Sequence, residues 1–149
     1  MSSNVSLLVH FVWSTAERQP WILPSWESRL YSYLGGICSN KRAKLLGAGG
    51  MPDHIHLYVS LPSTVSLAEM VNILKSNSSR WIHETIPESR NFAWQKGYGA
   101  FCMHPTMNET VLRYIRNQRQ HHCSHGYQQE LLALLQEHAL SYDERYLWE

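Results

Sequence analysis

Short hydrophobic segments of period two alternate with longer segments of helical period, and this order constrains the fold more than any single motif. Alternating apolar side chains predict a first strand over residues 5–13. Further strands are predicted over 44–50, 54–61 and 98–103, the first of them rich in glycine. The turn at residues 51–53 would join two of these strands into a hairpin.

Helical spacing of apolar side chains fills the intervals between the strands. Helices are predicted after N-cap candidates at Ser25 and Asn108, after the capping box formed by Ser66 and Glu69, and over 130–140. The order is therefore βαββαβ followed by two helices. This order predicts an α+β, ferredoxin-like or RRM-like antiparallel sheet with helices on one face, and C-terminal helices added to it.

The composition is that of a single globular domain. The chain has 149 residues, of which 44% are hydrophobic, which is enough to form a sizeable core. Three cysteines occur without a C-x-x-C pair, so a reduced, cytoplasmic location is expected. No apolar run approaches the length of a membrane span and no signal peptide is recognisable, so no membrane partner is expected.

His54 and His56 form the first candidate site. On a strand, residues i and i+2 point to the same face, so both imidazoles would project together while Ile55 points into a core. Two neutral imidazoles side by side suit a divalent metal ion. With nine histidines in the chain, a chance H-x-H pair is the alternative.

Tyr114 and Gln118 form the second candidate site. They are separated by four residues, so on a helix they would lie one above the other beside an apolar stripe. A tyrosine one turn from an amide oxygen could be a nucleophile next to a metal ligand. The alternative is a half-buried aromatic ring and a solvated amide. Tyr98 is a rival nucleophile, but no ligand-like side chain lies at helical spacing from it.

Two further features remain open. Residues 121–125 hold three histidines and one cysteine, which could bind a soft metal or flank the site, or could simply end a helix. Asp53 could orient a ligating histidine from behind or could serve only as a turn residue.

Taken together, these motifs resemble a known family. The run Gly50-Met51-Pro52-Asp53-His54-Ile55-His56-Leu57 is similar to the HUH motif of the single-tyrosine transposases, which belong to the smallest bacterial insertion sequences and to their relatives associated with repeated extragenic palindromes. Four other stretches resemble this family in the same order: 10–13, 74–81, 94–98 and 114–118.

The resemblance implies a site and a reaction. His54, His56 and Gln118 would bind Mg²⁺ or Mn²⁺, and Tyr114 would attack a phosphate of hairpin-bearing single-stranded DNA. The products would be a 5′-phosphotyrosine and a free 3′-OH. The family is expected to form a homodimer, in which the tyrosine helix of one subunit can complete the site of the other. A rolling-circle replication initiator and a non-catalytic nucleic-acid-binding module remain as alternatives.

The formal charge is divided along the chain. The net charge is +1, but residues 1–129, the predicted catalytic domain, carry twelve basic and seven acidic side chains. Residues 130–149, an acidic helical appendage of the same domain, carry one basic and five acidic side chains. The candidate DNA-binding side chains, which could follow a phosphate backbone or could form a solvated face, are Lys41, Arg42, Lys44, Lys75, Arg80, Arg113, Arg116 and Arg119.

Overall fold

A four-stranded antiparallel sheet forms the centre of the molecule. The computed structural model describes residues 3–122 and 126–148. The strands are β1 (Leu8–Ser14), β2 (Lys44–Met51), β3 (His54–Ser60) and β4 (Gly99–Met103), in the spatial order β2-β3-β1-β4. The helices are α1 (Glu27–Asn40), α2 (Leu67–Thr85), α3 (Asn108–Arg116), α4 (Gln118–His121), α5 (Tyr127–Glu137) and α6 (Glu144–Leu147). The predicted βαββαβ fold with C-terminal helices is confirmed.

The two faces of the sheet are covered by different helices. On one face, odd-numbered residues of β1 and β3, including Phe11 and Ile55, pack with α1 and α2 in the main hydrophobic core. Ile55 is fully buried there, so its predicted direction is confirmed. On the other face, Tyr58 packs with Val111 of α3, and Val12 packs against α5. The even-numbered residues, including His54 and His56, therefore point toward the C-terminal helices.

Glycines in β2 allow α3 to approach the sheet closely. A Cβ atom at Gly49 would lie 2.5 Å from the carbonyl oxygen of Ile115, and one at Gly47 would lie 2.5 Å from the Leu112 side chain. A larger residue would push the helix away from the strand. The glycine-rich sequence of β2 therefore sets the distance between the sheet and α3, the helix that carries Tyr114.

Two predicted helix starts have different outcomes. The N-cap of the predicted capping box is confirmed, because Ser66 Oγ accepts a hydrogen bond of 3.1 Å from the Glu69 amide at the start of α2. The N-cap assigned to Asn108 is wrong. Asn108 is the first residue of α3, and its side-chain oxygen instead accepts a hydrogen bond from the Tyr58 hydroxyl. A long-range partner has taken the side chain that local capping would have used.

Two element boundaries also differ from the prediction. β1 begins at Leu8 rather than Val5, because Leu8 is the first residue paired with both neighbouring strands, opposite Ser60 and Met103. Val5 is left 52% exposed. The last long helix, α5, begins at Tyr127, three positions before its predicted start, and its buried side provides the covering of the second face.

Candidate active site

β3 presents its two histidines to a buried space between the sheet and the C-terminal helices. Both rings are completely buried, and the Nδ1 atom of each has a partner behind it. His54 Nδ1 donates to Asp53 Oδ1 at 2.7 Å, so Asp53 orients a histidine in addition to standing in the turn. His56 Nδ1 shares a hydrogen bond of 2.8 Å with His10 Nε2. Both Nε2 atoms therefore face the same space.

Glu130 of α5 occupies the centre of that space. Its Oε1 atom lies 2.8 Å from His56 Nε2, 3.2 Å from His54 Nε2 and 3.3 Å from His122 Nε2. Each of these four residues offers one potential metal-ligand atom, and those atoms all lie within 4.8 Å of one another. Glu130 is only 3% exposed although it belongs to the segment predicted as an acidic appendage.

Sequence reasoning missed Glu130, although a signal was present. In α5 it falls on the apolar stripe, three residues after Tyr127 and four before Leu134, and all three are buried. A carboxylate on the buried stripe of an amphipathic helix requires a polar partner inside the protein. Because Glu130 also contributes to the acidic charge of residues 130–149, its place on the buried stripe of the helix is easily overlooked.

Tyr114 and Gln118 reach the same space from the other side. The Tyr114 hydroxyl donates a hydrogen bond to Glu130 Oε2, and its ring lies 5.6 Å from the His56 ring. Gln118 Oε1 is 3.3 Å from His54 Nε2, while Gln118 Nε2 donates to Glu130 Oε2 at 3.1 Å. The four residues predicted for catalysis and metal binding thus lie together within one chain.

Helical hydrogen bonding holds Tyr114 and Gln118 at this spacing. The helix is interrupted at Asn117, between α3 and α4. The i to i−4 pattern nevertheless continues, because the Asn117 amide donates to Arg113 O and the His121 amide donates to Asn117 O. The interruption leaves the predicted i, i+4 relation of the two side chains intact.

The hydrogen bonds around Glu130 control the ionisation of the site. Burial opposes the charged form of Glu130, but the hydrogen bonds from His54 and His56 outweigh it and hold the pKa of that carboxyl well below its usual range. Burial also opposes the charged form of His54, yet its bonds to Asp53 and Glu130 raise its pKa to about 9. Burial and the neighbouring Glu130 charge raise the pKa of Tyr114, so the phenol is protonated at neutral pH.

The chemistry of these donors fits a divalent cation. Imidazole nitrogens, an amide oxygen and an ionised carboxylate converge in a space from which water is largely excluded. Each strand histidine also has its second nitrogen tied, which is the usual arrangement of metal-ligating histidines. His54, His56 and Gln118 could therefore hold the predicted ion, with His122 and Glu130 beside them.

Two open cavities adjoin this cluster. One, of about 430 Å³, is lined by residues that include Arg113, Tyr114 and His121. Another, of about 380 Å³, is lined by residues that include Asp53 and His122. The nucleophile candidate is thus reached from a groove that carries a basic side chain.

The basic side chains differ in their surroundings. The structure places seven of the eight predicted DNA-binding residues at exposed positions: Lys41, Arg42, Lys44, Arg80, Arg113, Arg116 and Arg119. Arg119 Nη2 lies 2.5 Å from a carboxylate oxygen of Glu27. The Lys75 ammonium is turned inward and donates to three backbone carbonyls, those of Gln95, Lys96 and Gly97. In this arrangement Lys75 stabilises the chain segment before β4.

The histidine-rich segment at 121–125 divides into two parts. His122 joins the buried cluster, and His121 Nε2 lies 3.3 Å from Glu130 Oε2. The interpretation that these two histidines flank the site agrees with their position. Cys123, Ser124 and His125 lie outside the described residues.

Comparison with known proteins places the chain in a family. The family model described as "Transposase IS200 like" matches residues 3–118. The chain belongs to the IS200-like transposases. This membership makes it a transposase, a DNA-cleaving enzyme, and agrees with the resemblance carried by the HUH and tyrosine motifs. Glu130 and His122 both lie beyond the residues matched by the family model. No curated protein matches the chain.

Two solved structures share the fold of this transposase. A candidate transposase from Deinococcus radiodurans R1 is 21% identical, with a TM-score of 0.66 over 79% of this chain and 95% of the other. A REP-associated tyrosine transposase bound to a REP hairpin is 14% identical, with a TM-score of 0.61 over 82% of this chain and 74% of the other. Among the described residues, none of the helices has both the length and the apolar character needed to cross a membrane.

Proposed function

We propose that this transposase cleaves and rejoins single-stranded DNA beside hairpins through a covalent intermediate on Tyr114. The observation that carries the proposal is the contact between the Tyr114 phenol and the buried cluster of His54, His56 and Glu130. A solved relative in fold is described as bound to a REP hairpin, which supports the substrate class.

The proposed reaction needs a nucleophile, an activated phosphate and a retained ester. Bound at His54, His56 and Gln118, Mg²⁺ or Mn²⁺ would supply Lewis-acid polarisation of the scissile phosphate. The phenol oxygen of Tyr114 attacks phosphorus and gives up its proton, the bond from phosphorus to the 3′ oxygen breaks, and a proton passes to that oxygen, so the 3′ end leaves as a hydroxyl. The 5′ phosphate stays on Tyr114, so a second 3′-OH can attack it and reseal the strand without ATP.

The exposed basic residues supply the proposed path for the DNA backbone. Arg113 and Arg116 lie on the same helix as Tyr114, and Arg119 lies on the short helix that follows it. Lys41, Arg42 and Lys44 lie at the end of α1 and the start of β2. Phosphate contacts by these side chains would position the strand without reading its sequence.

Covalent capture tests the nucleophile. The wild-type chain is incubated with a hairpin-bearing single strand, labelled on the 3′ side of the expected cut, and MnCl₂. A denaturing gel is expected to show a protein–DNA adduct that Tyr114→Phe does not form. Tyr98→Phe, which removes the rival nucleophile, is expected to keep the adduct.

The same experiment separates the alternatives. An adduct in Tyr114→Phe would contradict the nucleophile assignment. Hairpin binding without any adduct from the wild-type chain would favour a non-catalytic binding module. Cleavage that also requires Tyr98 would favour the two-tyrosine chemistry of a replication initiator.

The family resemblance also supports a homodimer, which sedimentation of the purified chain would measure. The contact between Tyr114 and Glu130 within one chain favours a site completed by the chain's own tyrosine. Mixing Tyr114→Phe with His56→Ala protein tests this arrangement. Recovery of adduct formation in the mixture would require exchange of the tyrosine helix between subunits.

A further inference from the structure

We infer that Glu130 and His122 are ligands of the metal ion together with His54 and His56, and that this set selects a transition-metal ion over Mg²⁺. The inference rests on the metal site of the proposed function and deepens it. It adds two ligands from the part of the chain beyond residue 118, where the family match ends.

The distances from Glu130 Oε1 to the three imidazole nitrogens are close to those between ligands of one ion. Bonds of about 2.0–2.2 Å to a shared ion place neighbouring ligand atoms about 3.0–3.4 Å apart. Glu130 Oε1 lies 2.8 Å from His56 Nε2, 3.2 Å from His54 Nε2 and 3.3 Å from His122 Nε2. All four atoms lie within 4.8 Å of one another, so side-chain movements alone would bring them around a single cation.

The side chains are held in this arrangement from outside the cluster. Asp53 and His10 tie the Nδ1 atoms of the two strand histidines, which leaves each Nε2 atom for the ion. Leu131 and Leu134 anchor α5 in the apolar cluster over Val12, so the position of Glu130 is fixed by the packing of its helix.

Gln118 contacts both added ligands. Its Nε2 atom donates to Glu130 Oε2, and its Oε1 atom lies 2.9 Å from His122 Nε2. Gln118 therefore also acts as a positioning residue, because its amide connects the carboxylate and the third imidazole.

The buried carboxylate is itself evidence for a cation. Glu130 is 3% exposed, and an ionised carboxylate removed from water needs compensating positive charge. A divalent ion held by the surrounding imidazole nitrogens would supply that charge.

Three nitrogens and one oxygen favour particular ions. Mg²⁺ prefers oxygen ligands and keeps its waters, whereas imidazole suits Zn²⁺, and the affinity of a nitrogen and oxygen site for first-row ions rises from Mn²⁺ to Co²⁺. Around an octahedral ion such as Mn²⁺, the four ligands together with Gln118 Oε1 leave one position for a phosphate oxygen. Around tetrahedral Zn²⁺ they leave none, so Zn²⁺ is expected to bind tightly and to stop cleavage.

Metal titration tests the inference without DNA and without activity. Metal-free protein is titrated by calorimetry with MnCl₂ and with MgCl₂, and with CoCl₂ while the visible absorption of the bound ion is recorded. The wild-type chain is expected to bind Mn²⁺ at least ~10-fold more tightly than Mg²⁺. Glu130→Gln is expected to bind Mn²⁺ at least ~10-fold more weakly and to change the Co²⁺ spectrum.

The controls use the same helix and a second ligand. Glu137→Gln changes an exposed carboxylate on α5 and is expected to titrate as the wild type does. His122→Ala provides the second ligand variant if Glu130→Gln does not fold, as judged by circular dichroism. It is expected to weaken Mn²⁺ binding by a similar factor.

Each outcome bears on the inference separately from the proposed function. Wild-type Mn²⁺ affinity in both Glu130→Gln and His122→Ala would overturn it, as would equal wild-type affinity for Mg²⁺ and Mn²⁺. In either case adduct formation on Tyr114 would still support the proposed function. Loss of metal affinity in the variants supports the inference even if no adduct is found.

Discussion

The two strand histidines are the residues whose environment most restricts the chemistry of the site. His54 has a carboxylate behind it and His56 has another histidine, His10, so the two rings experience different charges. Burial, reinforced by the neighbouring His56, lowers the pKa of His10 to about 3. His10 is therefore neutral at physiological pH and can share its hydrogen bond with His56 without adding charge to the site.

The low pKa of His10 predicts a pH dependence of stability. Below pH ~6.5 His10 is protonated in the unfolded chain, whereas in the folded chain it stays neutral down to about pH 3. Because the unfolded state binds more protons, the free energy of unfolding decreases as the pH is lowered through this interval. One such proton contributes about 1.4 kcal/mol per pH unit.

Urea unfolding in EDTA at several pH values between 6.5 and 3.5 measures this contribution. His10→Gln is expected to lose stability less steeply than the wild type, by up to the value for one proton. His104→Gln, at an exposed histidine, is the control and is expected to keep the wild-type slope. Equal slopes for the wild type and His10→Gln would contradict the prediction.

At the scale of elements, the approach of α3 to β2 decides where the nucleophile lies. Ile115 meets the backbone of Gly49 at a distance that no other residue would allow, and Tyr114 precedes Ile115 on the same helix. On the other side of the site, α5 is fixed by its own apolar cluster over β1 and β4. The site is therefore formed between two helices that contact the same face of the sheet independently.

Gly49→Ala is expected to displace α3. The added methyl group would lie 2.5 Å from a backbone carbonyl oxygen, which cannot rotate away as a side chain could. The expected cost is about 1–3 kcal/mol of stability, together with slower adduct formation on Tyr114. Thermal unfolding and the rate of covalent capture measure the two effects.

Gly36→Ala is the matched control for that substitution. Gly36 lies inside α1, and a Cβ atom there would meet nothing within 4 Å. Alanine is expected to stabilise the helix by about 0.5–1 kcal/mol and to leave adduct formation unchanged. Unchanged unfolding and capture in Gly49→Ala would show that α3 tolerates the displacement.

At the scale of the whole molecule, the acidic charge of residues 130–149 is only partly presented at the surface as free charge. Five of the twelve acidic residues lie in 130–149, but Glu130 is buried in the site and Asp143 pairs with Arg145. The exposed basic residues on α3 and near the start of β2 leave the main body positively charged. A moderate electrostatic contribution to DNA binding is therefore expected.

This charge distribution predicts hairpin-selective binding with moderate salt dependence. Fluorescence anisotropy of Tyr114→Phe, which cannot form the proposed adduct, compares a hairpin-bearing strand with an unstructured strand of the same composition. The hairpin is expected to bind more tightly at every salt concentration, and both affinities are expected to fall as salt rises. Tight binding of both strands at high salt would contradict the prediction.

Local patterns in the sequence determined the elements of the fold and the directions of their side chains. The alternation in β3 put His54 and His56 on one face and Ile55 on the other, and the capping box fixed the start of α2. These features follow from the periods of strands and helices, which depend on near neighbours. They also placed Tyr114 and Gln118 on one side of their helices.

Only the tertiary structure decided which distant side chains complete the site. His10, His122 and Glu130 join the strand histidines through long-range contacts, such as that of His56 with Glu130, which spans 74 residues of sequence. The packing of α5 across the second face of the sheet brings Glu130 inside. The spacing of apolar residues along the chain does not show which helix covers that face. Tertiary contacts also turned the Lys75 ammonium toward backbone carbonyls of the segment before β4, which are distant from it in sequence.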